Sequence, residues 1–216
     1  MKAAPCACIL AGFLVLRTML GFCQATPDPW LILASGAKGA INVGTTRGQL
    51  VRLYGASNVV DQDADVGGGD IEPETVLFPK DPKRRIEILW KSPDKKAEPY
   101  SASVRGTASR WHAVHGISLG TTSTELQRAN GRPFRFDLVG DGTDMAHDEI
   151  SWHGGSLEKY FRGEGSVTLK LVGTPTQPTA QKGPRDFGGE SDTPEIQNLN
   201  LYIDEITWVF PPQVQP

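Results

Sequence analysis

The sequence predicts an α+β protein built from two tandem repeats, each a short capped helix (or helix pair) packed on an antiparallel β-sheet. Three observations predict it. Gly44-Thr45-Thr46 recurs as Gly120-Thr121-Thr122, 76 positions on, within segments that align without a gap from Ile41 to Gly55 and from Ile117 to Gly131. Both copies follow the threonine pair with a helix-opening signature, Thr46-x-x-Gln49 and Thr122-x-x-Glu125. The string Glu-Ile-x-Trp occurs three times, ending at Trp90, Trp152 and Trp208. In a strand, its Ile and Trp share one face and its Glu lies on the other.

Residues 1–25 read as an export signal rather than as part of the fold. Lys2 supplies the positive start, Cys6 to Leu16 is an apolar run of signal-peptide length, and cleavage is expected after Ala25. Arg17 opposes a retained membrane span, because charge at mid-bilayer is costly. Phe22 stands where a lipid-attachment site at Cys23 needs a small residue. The chain is therefore expected to be exported, periplasmic or extracellular, and of bacterial type. All three cysteines lie in this leader, so disulfides and thiolate chemistry are excluded from the remainder. Removing Lys2 and Arg17 takes the net charge from −3 to −5. The longest basic run is Lys83-Arg84-Arg85, which gives nucleic acid no footprint.

The first repeat is expected over 26–106. Thr46 and Gln49 form a capping box, in which hydroxyl and amide side chain each satisfy an orphan backbone amide. Leu50, Leu53 and Tyr54, at i, i+3 and i+4, predict the helix's apolar face, and Gly55 ends it. Thr75 to Phe78 and Arg85 to Trp90 read as strands joined by a turn at Asp81-Pro82-Lys83-Arg84. Gly55 to Trp90 is 14 residues longer than Gly131 to Trp152, and the surplus is placed at Asp61 to Pro73, an acidic loop loosened by Gly67-Gly68-Gly69. The second repeat is expected over 107–216. It has a helix presenting Leu126 and Ala129 and closed by Gly131, then strands at Phe134 to Val139, Glu149 to Trp152, Val167 to Val172 and Asn200 to Phe210. A Gly-, Pro- and Thr-rich stretch near 173–194 reads as a mobile loop.

The Ile-x-Val stub followed by Gly-Thr-Thr-x-x-x-Leu-x-x-x-x-Gly resembles the helix-opening motif of the SmpA/OmlA-type bacterial outer-membrane lipoproteins, which carry Gly-Met-Thr at that place. Two such units in tandem resemble the fold of the beta-lactamase inhibitor proteins. Leu77 to Pro82, Leu-Phe-Pro-x-Asp-Pro, is similar to a segment of uncharacterised bacterial exported proteins. The resemblance implies a non-catalytic protein that binds other proteins in the envelope or outside the cell.

Four constellations carry possible chemistry. Gly116-Ile117-Ser118-Leu119-Gly120 matches the nucleophile elbow, with Asp141 or Asp148 and then His153 in hydrolase order. Ser118, however, aligns with Asn42 of the first copy, so the spacing has a structural cause. Asp61, Asp63, Asp65 and Glu72 stand at positions 1, 3, 5 and 12 of a calcium loop, although Val66 replaces the required glycine. His112, His115, His147 and His153 are the complete histidine set. His112 and His115, three apart in an extended segment, would face opposite sides. Finally, the three tryptophans are read as packing inward rather than as an exposed binding row. No nucleotide-binding glycine motif is present, and no cofactor is implied. The sequence thus predicts a non-enzymatic exported module that binds another protein, with no transmembrane span after cleavage. The alternatives are a small secreted hydrolase using Ser118 or the carboxylates, and a calcium-stabilised structural module.

Overall fold

The structure, a computed structural model, describes residues 28–32, 41–106, 109–138, 150–162, 165–173 and 187–211. The signal segment, Asp141, His147 and Asp148 lie outside the described residues, as do Val139, Glu149 and residues 174–186.

Both predicted helices form where their caps require. In α1 (Arg47–Tyr54) the Gln49 amide donates to Thr46 Oγ1 at 3.2 Å and the Thr46 amide to Gln49 Oε1 at 2.8 Å. In α2 (Ser123–Asn130) the Glu125 amide donates to Thr122 Oγ1 at 3.3 Å and the Thr122 amide to Glu125 Oε2 at 2.8 Å. Gly131 ends α2 in the left-handed region (φ 77, ψ 2), which only glycine adopts freely. Gly55 also has positive φ but an extended ψ of 147, and leads instead into a 3-10 turn at Ala56–Asn58. Leu50 and Leu126 are fully buried. The expected face of α1 needs one correction: Leu53 is 69% exposed, and Val51 packs on the core beside Leu50 and Tyr54 instead. The buried stripe is narrow, and Leu53 falls outside it.

The strands are β1 (Val59–Gly67), β2 (Asp70–Leu77), β3 (Ile86–Ser92), β4 (Ala97–Arg105), β5 (Arg135–Leu138), β6 (Ile150–Ser151), β7 (Val167–Val172), β8 (Phe187–Glu190) and β9 (Tyr202–Val209). Short helices α3 (Glu158–Phe161) and α4 (Pro194–Gln197) complete the described elements. Six strands make one antiparallel sheet in the order β1-β2-β3-β4-β9-β7, and a small sheet has the order β6-β5-β8. The six-stranded sheet therefore takes strands from both sides of residue 106, joined where Ser103 faces Thr207. β4 escaped the sequence reading because Pro99, Ser101 and Ser103 dilute its apolar alternation. Part of the stretch read as a loop near 173–194 is also a strand, since β8 pairs with β5.

One face of the large sheet carries the core. Ile86, Ile88, Trp90, Ala102, Val104, Leu169, Ile206 and Trp208 point to it and pack in one cluster with Leu50, Leu126, Ile41, Ile117 and the aromatic side chains Phe134, Phe136 and Trp152. Trp90, Trp152 and Trp208 are buried, so Glu-Ile-x-Trp is a packing pattern. On the opposite face Glu87 and Glu205, from two of those strings, both accept from Arg105, at 3.1 and 2.8 Å.

The two helix-opening segments share local bonding. The Asn42 amide donates to Thr45 Oγ1 at 2.9 Å, and the Ser118 amide to Thr121 Oγ1 at 3.0 Å. The first cap docks on the start of β4, where the Arg47 amide donates to Lys96 O at 2.9 Å and Glu98 to Thr45 O at 3.2 Å. The second docks on the start of β9, where Ser123 donates to Leu201 O and Ile203 to Thr121 O, each at 2.9 Å.

Candidate interaction hairpin

The acidic segment read as a loose loop is a β-hairpin. Asp61 to Asp65 are in ladder with Ile71 to Thr75, and Gly68 and Gly69 (φ 66 and 88) make the reversal. Gly67-Gly68-Gly69, expected to loosen a loop, instead makes a turn, because Val59-Val60 begins an unexpected strand that pairs with the one expected at Thr75 to Phe78. β3 pairs with β2 only over Glu74–Leu77, so the distal hairpin projects past the sheet as a two-stranded ribbon. Val66 and Ile71 on it are 43% and 60% exposed, and Val60 at its root, opposite Val76, is 40% exposed.

Asp61 fixes the root of this ribbon. Its carboxylate accepts from Arg47 Nε at 2.9 Å, sits 2.6 Å from Lys96 Nζ, and accepts from Thr75 Oγ1 at 2.9 Å. Partial burial works to raise its pKa, but the bonds from Arg47, Lys96 and Thr75 outweigh it and hold the carboxyl below the ordinary range. Edge strand, helix start and the β3–β4 turn are thereby tied together. On the other face, buried Glu74 accepts from Gln62. Burial pushes its carboxyl up against the lowering effect of that bond, and the neighbouring Glu87 charge adds to the rise.

The calcium reading does not survive the ladder. Successive strand residues alternate faces, so Asp61, Asp63 and Asp65 share one face, while Glu72, opposite Ala64, lies on the other. Asp65 accepts from the Gly67 amide at 2.8 Å, and Asp61 is committed to cations. An extended strand cannot wrap four carboxylates round one ion. Among the described residues no group of three or more His, Cys, Asp or Glu is placed to hold a metal.

Ser118 lies in the turn before α2 and enters it through its amide, as Asn42 does. His153, its expected partner, is paired with Glu190 at 3.2 Å. His112 neighbours Ser118 across a β-bridge, but its Nε2 is 3.0 Å from Asp28 Oδ2 and its Nδ1 3.0 Å from Ala113 O. Neither ring nitrogen is left for a serine hydroxyl. His115 packs edge-on against Tyr160, with ring centroids 5.2 Å apart. It separates two open clefts of about 440 and 490 Å³, whose carboxylates already serve the fold: Glu125 caps α2 and Glu158 accepts from the Gly154 amide at 2.6 Å. The described histidines thus have separate roles and do not converge.

The class defined by these features is an α+β protein with a mostly antiparallel sheet, a buried tryptophan core and one projecting acidic hairpin. In comparison with known proteins, the chain matches no family model, no curated protein and no solved structure. Among the described residues no helix is long and apolar enough to cross a membrane.

Proposed function

We propose that this chain is an exported, non-enzymatic module that binds another protein through the β1–β2 hairpin. One observation carries the reading. Of the five large hydrophobic residues exposed in the described chain, Val66 and Ile71 lie on the projecting ribbon and Val60 at its root. Apolar side chains gathered on a projecting element are characteristic of contact surfaces, whereas scattered ones need no explanation. Export rests on the leader ending at Ala25, and the periplasm or extracellular space is the compartment that follows.

The reading includes a duplicated architecture. Matching turns, capping boxes and cap-to-strand bonds at β4 and β9 support two copies of one helix-and-strand unit, abutting where β4 and β9 run antiparallel. The first copy's 14 extra residues between its helix-ending glycine and its Glu-Ile-x-Trp string are accommodated in the β1–β2 hairpin.

The test is capture of a partner from native envelope or culture supernatant by the parent chain and by a Val66→Ser/Ile71→Ser variant. Both positions are exposed, so the melting temperature is expected to be unchanged while capture falls about tenfold or more. Undiminished capture by the variant sinks the hairpin. Absence of any partner, together with turnover of ester or glycoside substrates by purified protein, sinks the binding module.

A further inference from the structure

We infer that the free edge of β1 accepts an extended basic segment of the partner as an added strand, an inference that rests on the hairpin reading above. β1 is nine residues long, ends the sheet, and pairs with β2 alone among the described elements. From Val60 to Glu72 every residue except Ala64 is exposed. An edge of this length presents a row of backbone donors and acceptors ready for another strand. The ribbon's other free edge, Asp70–Pro73, is shorter and ends in a proline, which has no amide to offer.

Charge decides what kind of strand. No Lys or Arg occurs between Arg52 and Lys80, while Asp61, Asp63, Asp65, Asp70 and Glu72 all fall on the ribbon. Arg47 and Lys96 occupy Asp61, which leaves Asp63 and Asp65 two apart on one face of the edge. A second copy of β1 laid antiparallel would set aspartate against aspartate, and like charges directly opposite are destabilising. A segment with Lys or Arg at two positions two apart instead places a cation opposite each carboxylate. Its intervening side chains then meet Ala64 and Val66 on the other face. Backbone pairing supplies affinity, and the alternating charges set register.

The probe is a capped nine-residue peptide alternating Lys with Val and Thr, compared with a peptide of the same composition whose lysines are grouped. The full chain is expected to bind the alternating peptide more tightly and to gain amide-exchange protection over Val60–Gly67. Binding is expected to weaken several-fold with added salt, and roughly threefold to tenfold in Asp63→Asn/Asp65→Asn. Asp63→Pro and Ala64→Pro form a matched pair. Successive strand amides point to opposite edges, so one of the two removes only an outward amide and is expected to abolish binding while the fold melts normally. The exposed asparagine pair carries the test by itself where both prolines disturb β2. Equal binding of the grouped peptide, protection elsewhere, no binding, or prolines without effect each overturn strand addition. If that happens while Val66→Ser/Ile71→Ser still loses the captured partner, the hairpin reading stands and only the added strand is lost.

Discussion

At the scale of single residues, buried or anchored carboxylates give the clearest predictions. Glu74 has a raised pKa in the fold, so protonation is coupled to folding. Its contribution is fully present below the unfolded carboxyl's pKa and is lost as pH rises through the folded value. Glu74→Gln keeps an acceptor for Gln62 and removes the buried charge. The variant is expected to melt higher than the parent at pH 7, with the difference closing below about pH 4. Asp61 has the opposite sign. Its folded pKa is lowered, so its contribution is present above the unfolded value and disappears as pH falls through the folded one. Asp61→Asn is expected to cost about 1 kcal/mol at pH 7, measured by denaturant unfolding, and to lose that deficit in acid. A third position tests packing. A Cβ on Gly155 would collide with the side-chain amide of Asn130. Asn130 donates to Arg132 O and Trp152 O and accepts from the Leu157 amide, so it cannot step aside cheaply. Gly155→Ala is expected to destabilise by about 1–3 kcal/mol.

Among the elements, the two capped helices were the most legible part of the sequence, and the hairpin the least. A capping box is local chemistry: four consecutive residues contain both the donors and the acceptors. Thr46→Ala and Thr122→Ala are each expected to cost about 1 kcal/mol in the denaturant midpoint, and the double variant close to the sum. Agreement of the two values would support the equivalence of the two caps, and a large difference would argue against it. The region 59–77 looked like a calcium loop because Asp61, Asp63, Asp65 and Glu72 have suitable spacing. Whether such a segment coils round an ion or extends depends on whether a partner strand is in reach. Here Val60 faces Val76 and Asp61 faces Thr75, so extension won. β4 was missed for a related reason. Ala102 and Val104 are its buried pair, and only the neighbours Ile88 and Ile206 show them to be core.

For the molecule as a whole, the β4–β9 contact matters most. Ser101–Arg105 pairs with Glu205–Val209, and Ser103 Oγ and Thr207 Oγ1 lie 2.8 Å apart across it. Arg105 bridges Glu87 on β3 and Glu205 on β9. With strands from both halves in one sheet over one hydrophobic cluster, calorimetry is expected to show a single transition with equal van't Hoff and calorimetric enthalpies. Val104→Ala, at the centre of the join, is expected to lower that transition without splitting it. Two separate transitions would mean that the halves fold independently.

The sequence by itself determined what is encoded within a few residues: the helix starts at Thr46 and Thr122, the turn at Asp81, and the Ile and Trp positions that face inward. It also warned that Ser118 sits in a structural turn, because Asn42 occupies the same place in the matching segment 41–55. Only the tertiary structure decided which strands meet. That choice turned Asp61 from a possible calcium ligand into the anchor of an edge strand. It sent the ring nitrogens of His112 to Asp28 and Ala113, and it joined the halves through β4 and β9. The physical reason is that strand pairing is a contract between distant segments: each strand's alternation offers a face, and only its neighbour decides whether that face becomes core, surface or binding edge.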